Sequence, residues 1–216
     1  MQNKQTRWLY LFTVISLLSL SFYSPKAHAN SNWLKYFKKD SLLNTYKTCY
    51  AVQDENLWTG TYGDGVLIKN GKNVTSLTNK NTRTNPQIDD GLVSDYITCI
   101  TFDEARKKVW IGTNEGLCSC DYEYKEWVRF QEGKDLPNNV IRALAMDNSG
   151  NLWVGTPSGI SIYDGEKWNQ VNERNGLLQG SIHSIKVKGN TVWVGTVGGS
   201  ISRYKDGQWD TVVGFD

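Results

Sequence analysis

Histidine and methionine are scarce in this chain of 216 residues, which has two of each. Only His183 lies beyond residue 29, too few imidazoles for a typical zinc site. No Gly-x-Ser-x-Gly, metal-spaced histidine pair, phosphate-binding glycine loop or Cys-x-x-Cys-His haem-attachment motif occurs. Most carboxylates fall in predicted turns, where capping explains them. We therefore predict a protein that is not an enzyme and uses no cofactor or metal.

A second long apolar run is also lacking. The apolar run at 8–24 follows two basic residues and precedes a small-x-small site at 27–29. This layout predicts a secretory signal peptide over residues 1–29, and an N-terminal membrane anchor is the alternative. We expect a periplasmic or secreted bacterial protein with no transmembrane segment after cleavage.

Concentrated positive charge is lacking as well. Residues 30–216 contain 21 basic and 22 acidic residues, which gives a net charge of about −1. Binding to nucleic acid needs a concentrated basic face. We therefore predict that nucleic acid is not a partner.

The chain does contain a fourfold repeat. Trp-x-Gly-Thr recurs at spacings of 52, 43 and 40 residues, with a Leu 16 to 18 residues before each Trp. Periods of this length are typical of propeller blades and some solenoids. We assign structural roles, filling the wedge between neighbouring blades, to Trp58, Trp110, Trp153 and Trp193. The predicted domain covers 30–216, with repeat units at approximately 42–77, 92–130, 136–172 and 177–213.

Within each unit the apolar residues alternate with a period of two. In the third unit the predicted strands span 140–147, 151–156, 159–164 and 167–172, with turn-forming residues between them. This pattern predicts an all-β propeller of four-stranded blades, each about 40 residues long. The glycine of Trp-x-Gly-Thr allows close backbone approach, and the indole N–H of the Trp is expected to reach a backbone carbonyl.

The order of these features resembles the two-component regulator propeller repeat. Residues 136–168 match its pattern almost throughout: Leu-Pro, an alternating strand, Asp-x-x-Gly-Asn-Leu-Trp-x-Gly-Thr, a glycine turn and an apolar strand near Asp-Gly. Residues 177–209 match it well, and the first two units match it more loosely. The resemblance implies a β-propeller like those in the sensory outer parts of membrane histidine kinases. It supplies no catalytic residues.

The number of outer strands raises the question of ring closure. Residues 32–43 mirror residues 167–178, so the chain has one more outer strand than it has sets of inner strands. The four units are predicted to close as a small four-bladed ring or to form an open arc. An arc exposes blade faces, and a homodimer that completes a larger propeller would cover them.

Four cysteines follow the predicted signal peptide. Cys49 and Cys99 lie at equivalent positions of the first two units, and Cys118 and Cys120 are predicted to point to one face of a strand. An even number in an oxidising compartment favours at least one disulfide among these four candidates. Free thiols are the main alternative, and a thiolate metal site is a weaker one.

The longest connection between units spans residues 78–95, and we interpret it as a flexible surface loop, with a ligand-recognition element as the alternative. It contains Arg83, Asp89 and Asp90, which are our candidate ligand-binding residues. Its asparagine-rich composition is also typical of a surface loop without such a role. His183 matches inner-strand positions of the other units and is interpreted as a packing or channel residue.

The function predicted from these observations is recognition. We expect an exported binding or sensory module for a small molecule, a glycan or a protein, accessory to a two-component system. A structural module for protein–protein assembly is the main alternative, and a lyase-type propeller enzyme is a weaker one. The ligand and partner are not specified by the sequence.

Overall fold

The computed structural model describes residues 46–83, 90–173, 176–177 and 180–213. The predicted signal peptide, the additional outer strand at 32–43 and Asp89 lie outside these residues. The described part consists of four four-stranded antiparallel sheets and a four-residue helix. An all-β, propeller-like fold is therefore confirmed. No helix in the described ranges is long and apolar enough to span a bilayer.

Each sheet is formed by consecutive strands, in the order in which they occur along the chain. Sheet 1 contains β1 (Lys47–Gln53), β2 (Asn56–Thr61), β3 (Val66–Asn70) and β4 (Asn73–Leu77), and helix α1 (Asn79–Thr82) follows it. Sheet 2 contains β5 (Ile97–Asp103), β6 (Lys108–Thr113), β7 (Leu117–Asp121) and β8 (Val128–Phe130). Sheet 3 contains β9 (Ala143–Met146), β10 (Leu152–Thr156), β11 (Gly159–Tyr163) and β12 (Trp168–Val171). Sheet 4 contains β13 (Ile182–Lys188), β14 (Thr191–Thr196), β15 (Ile201–Lys205) and β16 (Gln208–Val213).

The four strands predicted for the third unit are all present in sheet 3, each somewhat shorter than predicted, and the first differs most. The first strand starts at Ala143 rather than at residue 140. Just before it, the backbone N–H of Ile141 donates to the carbonyl of Thr113 in sheet 2, at 2.9 Å. The segment just before this strand therefore forms a hydrogen bond to the neighbouring sheet instead of lengthening the strand pairing within sheet 3.

Successive sheets interlock through the glycine of Trp-x-Gly-Thr. The inner strands β1, β5, β9 and β13 pack one against the next. A Cβ added to the glycine would lie about 2.6–2.7 Å from an isoleucine of the following sheet, in the pairs Gly60 with Ile97, Gly112 with Ile141, and Gly155 with Ile182. The glycine does permit a close approach, but the approaching groups are side chains rather than the backbone that we predicted. The isoleucine of the following sheet fills the space, together with the sulfur of Cys49 at Gly60 and of Cys99 at Gly112.

The first three tryptophans fill the same interfaces, as predicted. Each is buried and contacts aromatic rings of the following sheet, with ring centroids 5.1–6.2 Å apart: Trp58 with Phe102 and Tyr124, Trp110 with Tyr163 and Trp168, and Trp153 with Tyr204 and Trp209. Edge and tilted contacts of this kind stabilise beyond the area that they bury. The repeated tryptophan is therefore a contact between neighbouring units.

The prediction that the indole N–H groups reach backbone carbonyls is wrong for these three residues. Trp153 Nε1 donates to the Asp147 carboxylate at 2.8 Å, and this carboxylate also accepts the backbone N–H groups of Ser149 and Asn151. The indole N–H groups of Trp58 and Trp110 are buried and have no hydrogen-bond partner in the described part of the chain. The third unit alone retains the Asp-x-x-Gly-Asn turn that supplies this partner.

Sheet 4 departs from the interlocking pattern. Trp193 is only partly buried, and its ring is covered by Arg203 of the same sheet, with Cζ 5.9 Å from the ring centroid. Among the described residues, a Cβ at Gly195 would meet only the Ser184 hydroxyl of sheet 4 itself. The position of the interlocking isoleucine is occupied in sheet 1 by Lys47. The contact that joins sheets 1, 2, 3 and 4 in succession is therefore not repeated from sheet 4 to sheet 1 in the described ranges.

Candidate functional site

Three exposed tyrosines lie together where sheets 1 and 2 begin. Tyr46 immediately precedes β1, Tyr62 immediately follows β2, and Tyr96 immediately precedes β5. Their exposed fractions are 78%, 66% and 39%. The rings of Tyr62 and Tyr96 meet edge to face, with centroids 4.7 Å apart. We call these three residues the tyrosine patch.

Backbone hydrogen bonds hold the patch in place. Tyr62 N–H donates to the carbonyl of Tyr46 at 2.8 Å, and Tyr62 forms an antiparallel bridge with Tyr96. The β2–β3 turn is bonded to the neighbouring connection, because Gly63 and Gly65 both donate to the carbonyl of Asp95. Both glycines have positive φ, a conformation that favours glycine. The tyrosines are thus presented by ordered backbone rather than by a long loop.

An open pocket lies beside the patch. Its volume is ≈ 390 Å³, and it is lined by Tyr46, Lys47, Thr48 and Tyr62. This volume falls in the range of small-ligand sites, but the pocket is largely open to solvent rather than enclosed. The arrangement combines flat aromatic surface with hydroxyl groups, so it can stack against a ring and form hydrogen bonds at the ring's edge.

Our sequence reasoning missed the tyrosine patch. When the units are aligned, Tyr46 and Tyr96 share one position, at which the third and fourth units have Val140 and Ser181. The residue after Trp-x-Gly-Thr is Tyr62 in the first unit, while the other units have Asn114, Pro157 and Val197. The patch could therefore have been recognised only from positions at which the four units differ, and these positions are not part of the repeat pattern.

The connection at 78–95 is more structured than a polar loop, in the parts that are described. Thr78 caps helix α1, and its side chain and that of Asn81 form a reciprocal capping box. The Asn79 side chain donates to the carbonyls of Leu92 and Val93, at 2.6 and 2.9 Å. The described asparagines of this connection thus form hydrogen bonds with backbone groups. Amino-acid composition alone does not distinguish such asparagines from solvent-exposed ones.

The candidate residues in this connection have different surroundings. Arg83 is exposed, whereas Asp90 is buried with 8% of its surface accessible, and Asp89 lies outside the described residues. Burial leaves little of the Asp90 side chain at the surface. A role in ligand binding stays a prediction for Arg83, Asp89 and Asp90.

His183 is exposed on β13. At the equivalent position of the third unit, Arg142 donates to the Ser181 hydroxyl at 3.0 Å and to the carbonyl of Ile182 at 3.3 Å. Arg142 therefore links sheets 3 and 4. No group of three or more histidine, cysteine or acidic side chains in the described ranges is arranged to hold a metal ion.

The cysteines lie between sheets. Cys49 and Cys99 occupy equivalent positions on β1 and β5, each opposite the glycine of Trp-x-Gly-Thr. Cys118 and Cys120 are buried in the hydrophobic cluster between sheets 1 and 2. All four are free thiols in the structure. The predicted disulfide is not formed here, and the thiols serve as apolar packing groups.

Burial controls the chemistry of these thiols. It raises the pKa of Cys49, Cys99 and Cys118 from 9.0 to about 12, and it also raises the pKa of Cys120. As the pH rises, the thiols ionise in the unfolded chain before they ionise in the folded protein. Their contribution to the free energy of unfolding is therefore fully present below about pH 9 and is lost as the pH rises toward 12.

We expect the four thiols to react slowly in the native state. At pH 8 a thiol reagent such as dithionitrobenzoate should label the folded protein slowly, because the reactive thiolate is disfavoured and enclosed. In guanidinium without reductant, all four thiols should react at once. Recovery of only two thiols under those conditions would show that one disulfide forms and would contradict the free-thiol state.

Residues 135–158 match the family model described as "Two component regulator propeller". The resemblance inferred from the sequence is thus confirmed.

Histidine kinase P4 of Formosa agariphila is 30% identical over 161 residues, which cover 68% of this chain and 11% of that protein. Beta-lactamase OXA-20 of Pseudomonas aeruginosa is 29% identical over 177 residues, which cover 78% of this chain and 63% of that protein. The chain therefore spans less than two thirds of each of these curated relatives.

A solved structure supports the fold. The extracellular domain of the hybrid two component system BT3049 from B. thetaiotaomicron superimposes with a TM-score of 0.63 at 22% sequence identity. The superposition covers 80% of this chain and 23% of that domain. The described sheets thus share the fold of part of that extracellular domain.

Proposed function

We propose that this chain, which carries the two component regulator propeller repeat, is an exported binding module that recognises a carbohydrate at the tyrosine patch. The repeat and the fold relate the chain to extracellular parts of two-component sensors. Its role is recognition, and it acts as an accessory to a sensor. The described residues do not include that sensor. The observation that carries this proposal is the clustering of three exposed tyrosines beside a pocket.

Carbohydrate fits the chemistry of this patch. The faces of a sugar ring carry C–H groups, which pack well against aromatic rings, while its hydroxyls need hydrogen-bond partners at the rim. Tyr46 and Tyr62 offer both a ring and a hydroxyl, and Thr48 adds another hydroxyl to the pocket wall. Tyrosine also loses little side-chain entropy when it is immobilised by a ligand. A neutral or weakly charged oligosaccharide is therefore the preferred ligand class.

A serine-hydrolase function has weaker support. The match to a protein named as a β-lactamase directs attention to the sequence Ser202-Arg-Tyr-Lys205, which has the Ser-x-x-Lys spacing. In this chain the sequence lies within β15, where residues three apart point to opposite faces. Ser202 is buried and Lys205 is exposed, so the two side chains are not placed to act together.

The carbohydrate proposal predicts that the patch determines affinity. We expect a panel of soluble oligosaccharides to include a class that raises the melting temperature of the purified protein. The double variant Tyr62→Ala/Tyr96→Ala should bind that class roughly tenfold more weakly or worse, as expected for truncated aromatic anchors. Isothermal titration calorimetry measures the change.

Val128→Ala is the matched control, since Val128 is exposed on the outer strand β8, outside the patch. The control should bind like the parent protein. Equal affinity of the double variant and the parent would place the ligand elsewhere. If no oligosaccharide class shifts the melting temperature, the ligand is not a carbohydrate.

A further inference from the structure

One face of sheet 4 carries a set of basic residues around Trp193. In an antiparallel sheet, residues paired across strands point to the same side, as do residues two apart along a strand. Two neighbouring rows follow from the register: Lys186, Trp193, Arg203 and Asp210; and Lys188, Thr191, Lys205 and Gln208. We call these eight residues the end face.

The end face differs from the equivalent faces of the other sheets. At the position of Lys186, sheets 1, 2 and 3 have Ala51, Thr101 and Ala145. The strand partners of their tryptophans, at the position of Arg203, are Ile68, Ser119 and Ile162. Small or apolar residues at these positions fit against a following sheet. Cations in their place give this side of sheet 4 a polar surface, as is common for the capping faces of repeat arrays.

The end face has a net positive charge. It contains four basic side chains and one acidic side chain, that of Asp210. The lysines are exposed, and Arg203 is both paired with Asp210 and positioned over the Trp193 ring. Strand geometry puts the Cα atoms of these four basic residues at the corners of a rectangle of roughly 10 by 7 Å, and Trp193 lies on the strand between them.

We propose that the end face binds an anionic polysaccharide, such as one that carries sulfate or uronate groups. Lysine and arginine at regular spacing match negative groups that recur along a polymer, and the partly exposed indole offers a surface for a sugar ring. This site is separate from the tyrosine patch, which is formed by residues of sheets 1 and 2. The two sites differ in chemistry, because the pocket beside the patch is lined by one basic side chain, that of Lys47, whereas the end face has four.

A protein partner fits the end face less well. The buried centres of protein interfaces are depleted in lysine and rich in apolar side chains, whereas this face has three exposed lysines and, among the described side chains, only two partly exposed apolar ones, those of Trp193 and the neighbouring Ile201. Two copies of this chain would also meet there with like charges opposed. The homodimer predicted from the sequence would therefore have to use another surface.

Binding to dextran sulfate, measured by titration calorimetry at low salt, tests the proposal. We expect the purified protein to bind dextran sulfate and not neutral dextran, with an affinity that falls as salt is added because the charges are exposed. The variant Lys186→Gln/Lys188→Gln should bind roughly tenfold more weakly, from two exposed charge contacts. Both substitutions are on exposed side chains, so the fold should be retained, which circular dichroism checks.

The matched control is Lys72→Gln/Lys125→Gln, which removes the same charge from exposed positions on sheets 1 and 2. This control should bind like the parent protein. An equal loss in both variants would show that net charge alone matters, and no binding of dextran sulfate by the parent would exclude the site; either result overturns the proposal. Equally tight binding of polyglutamate would assign the end face to acidic proteins and would also overturn it.

Discussion

Replacement of Trp153 by alanine should lower the free energy of unfolding by about 3–5 kcal/mol, the range for large aromatic residues in a core. Trp153 is buried between Tyr204 and Trp209 of sheet 4, so its removal leaves a cavity in the interface between sheets 3 and 4. It also leaves the Asp147 carboxylate without its indole donor. Equilibrium unfolding in urea, followed by tryptophan fluorescence and circular dichroism together, measures the change.

Trp193→Ala provides the comparison. The two tryptophans occupy the same position in the repeat, but Trp193 is partly exposed and is followed by no further sheet in the described ranges. Its replacement should cost about 1 kcal/mol, because less apolar area returns to water on unfolding. Equal losses for Trp153→Ala and Trp193→Ala would show that sheet 4 is covered as fully as sheet 3, contrary to the structure.

Replacement of Gly112 by alanine should destabilise the protein by about 1–3 kcal/mol through overpacking. The added Cβ would lie 2.6 Å from Cys99 Sγ and 2.6 Å from Ile141 Cγ2. Cys99 belongs to sheet 2 and Ile141 to the entry of sheet 3, so the inner strands would have to move apart. Urea unfolding of the variant, compared with the parent at one protein concentration, gives the value.

Gly195→Ala is the control for this effect, since it makes the same chemical change at the equivalent position of sheet 4. There the Cβ would meet only the Ser184 hydroxyl, at 2.7 Å, among the described residues. We expect a change close to zero, because that short side chain can rotate and alanine reduces the entropy of the unfolded chain. A large loss at Gly195 together with none at Gly112 would refute the proposed interlock.

The sequence predicted the repeated features of the fold because they appear several times in one frame. Strand period, turn residues and the position of Trp-x-Gly-Thr each indicated the same four-stranded unit. The prediction was less accurate where a residue bonds to the neighbouring unit, as Ile141 does. It was wrong for the indole N–H groups, because the turn that supplies a carboxylate is present in the third unit and altered in the others.

The candidate site was less accessible to sequence reasoning. The residues first selected, Arg83, Asp89 and Asp90, were chosen for charge within a long connection, and Asp90 is buried. The tyrosine patch is assembled from residues 46, 62 and 96, which meet only after β1, β2 and β5 have paired and packed. Their spacing along the chain matches no motif, so their proximity can be recognised only once the strand register is known.

The interlock between each glycine and the next sheet's isoleucine also bears on how such a chain could change in length. Each described sheet contacts mainly its neighbours, so duplication or loss of a whole unit in the interior would recreate the same contacts at the new junction. Addition of a unit after sheet 4 would instead place it against Lys186 and Arg203. Lengthening by duplication is thus easier between the described sheets than after sheet 4.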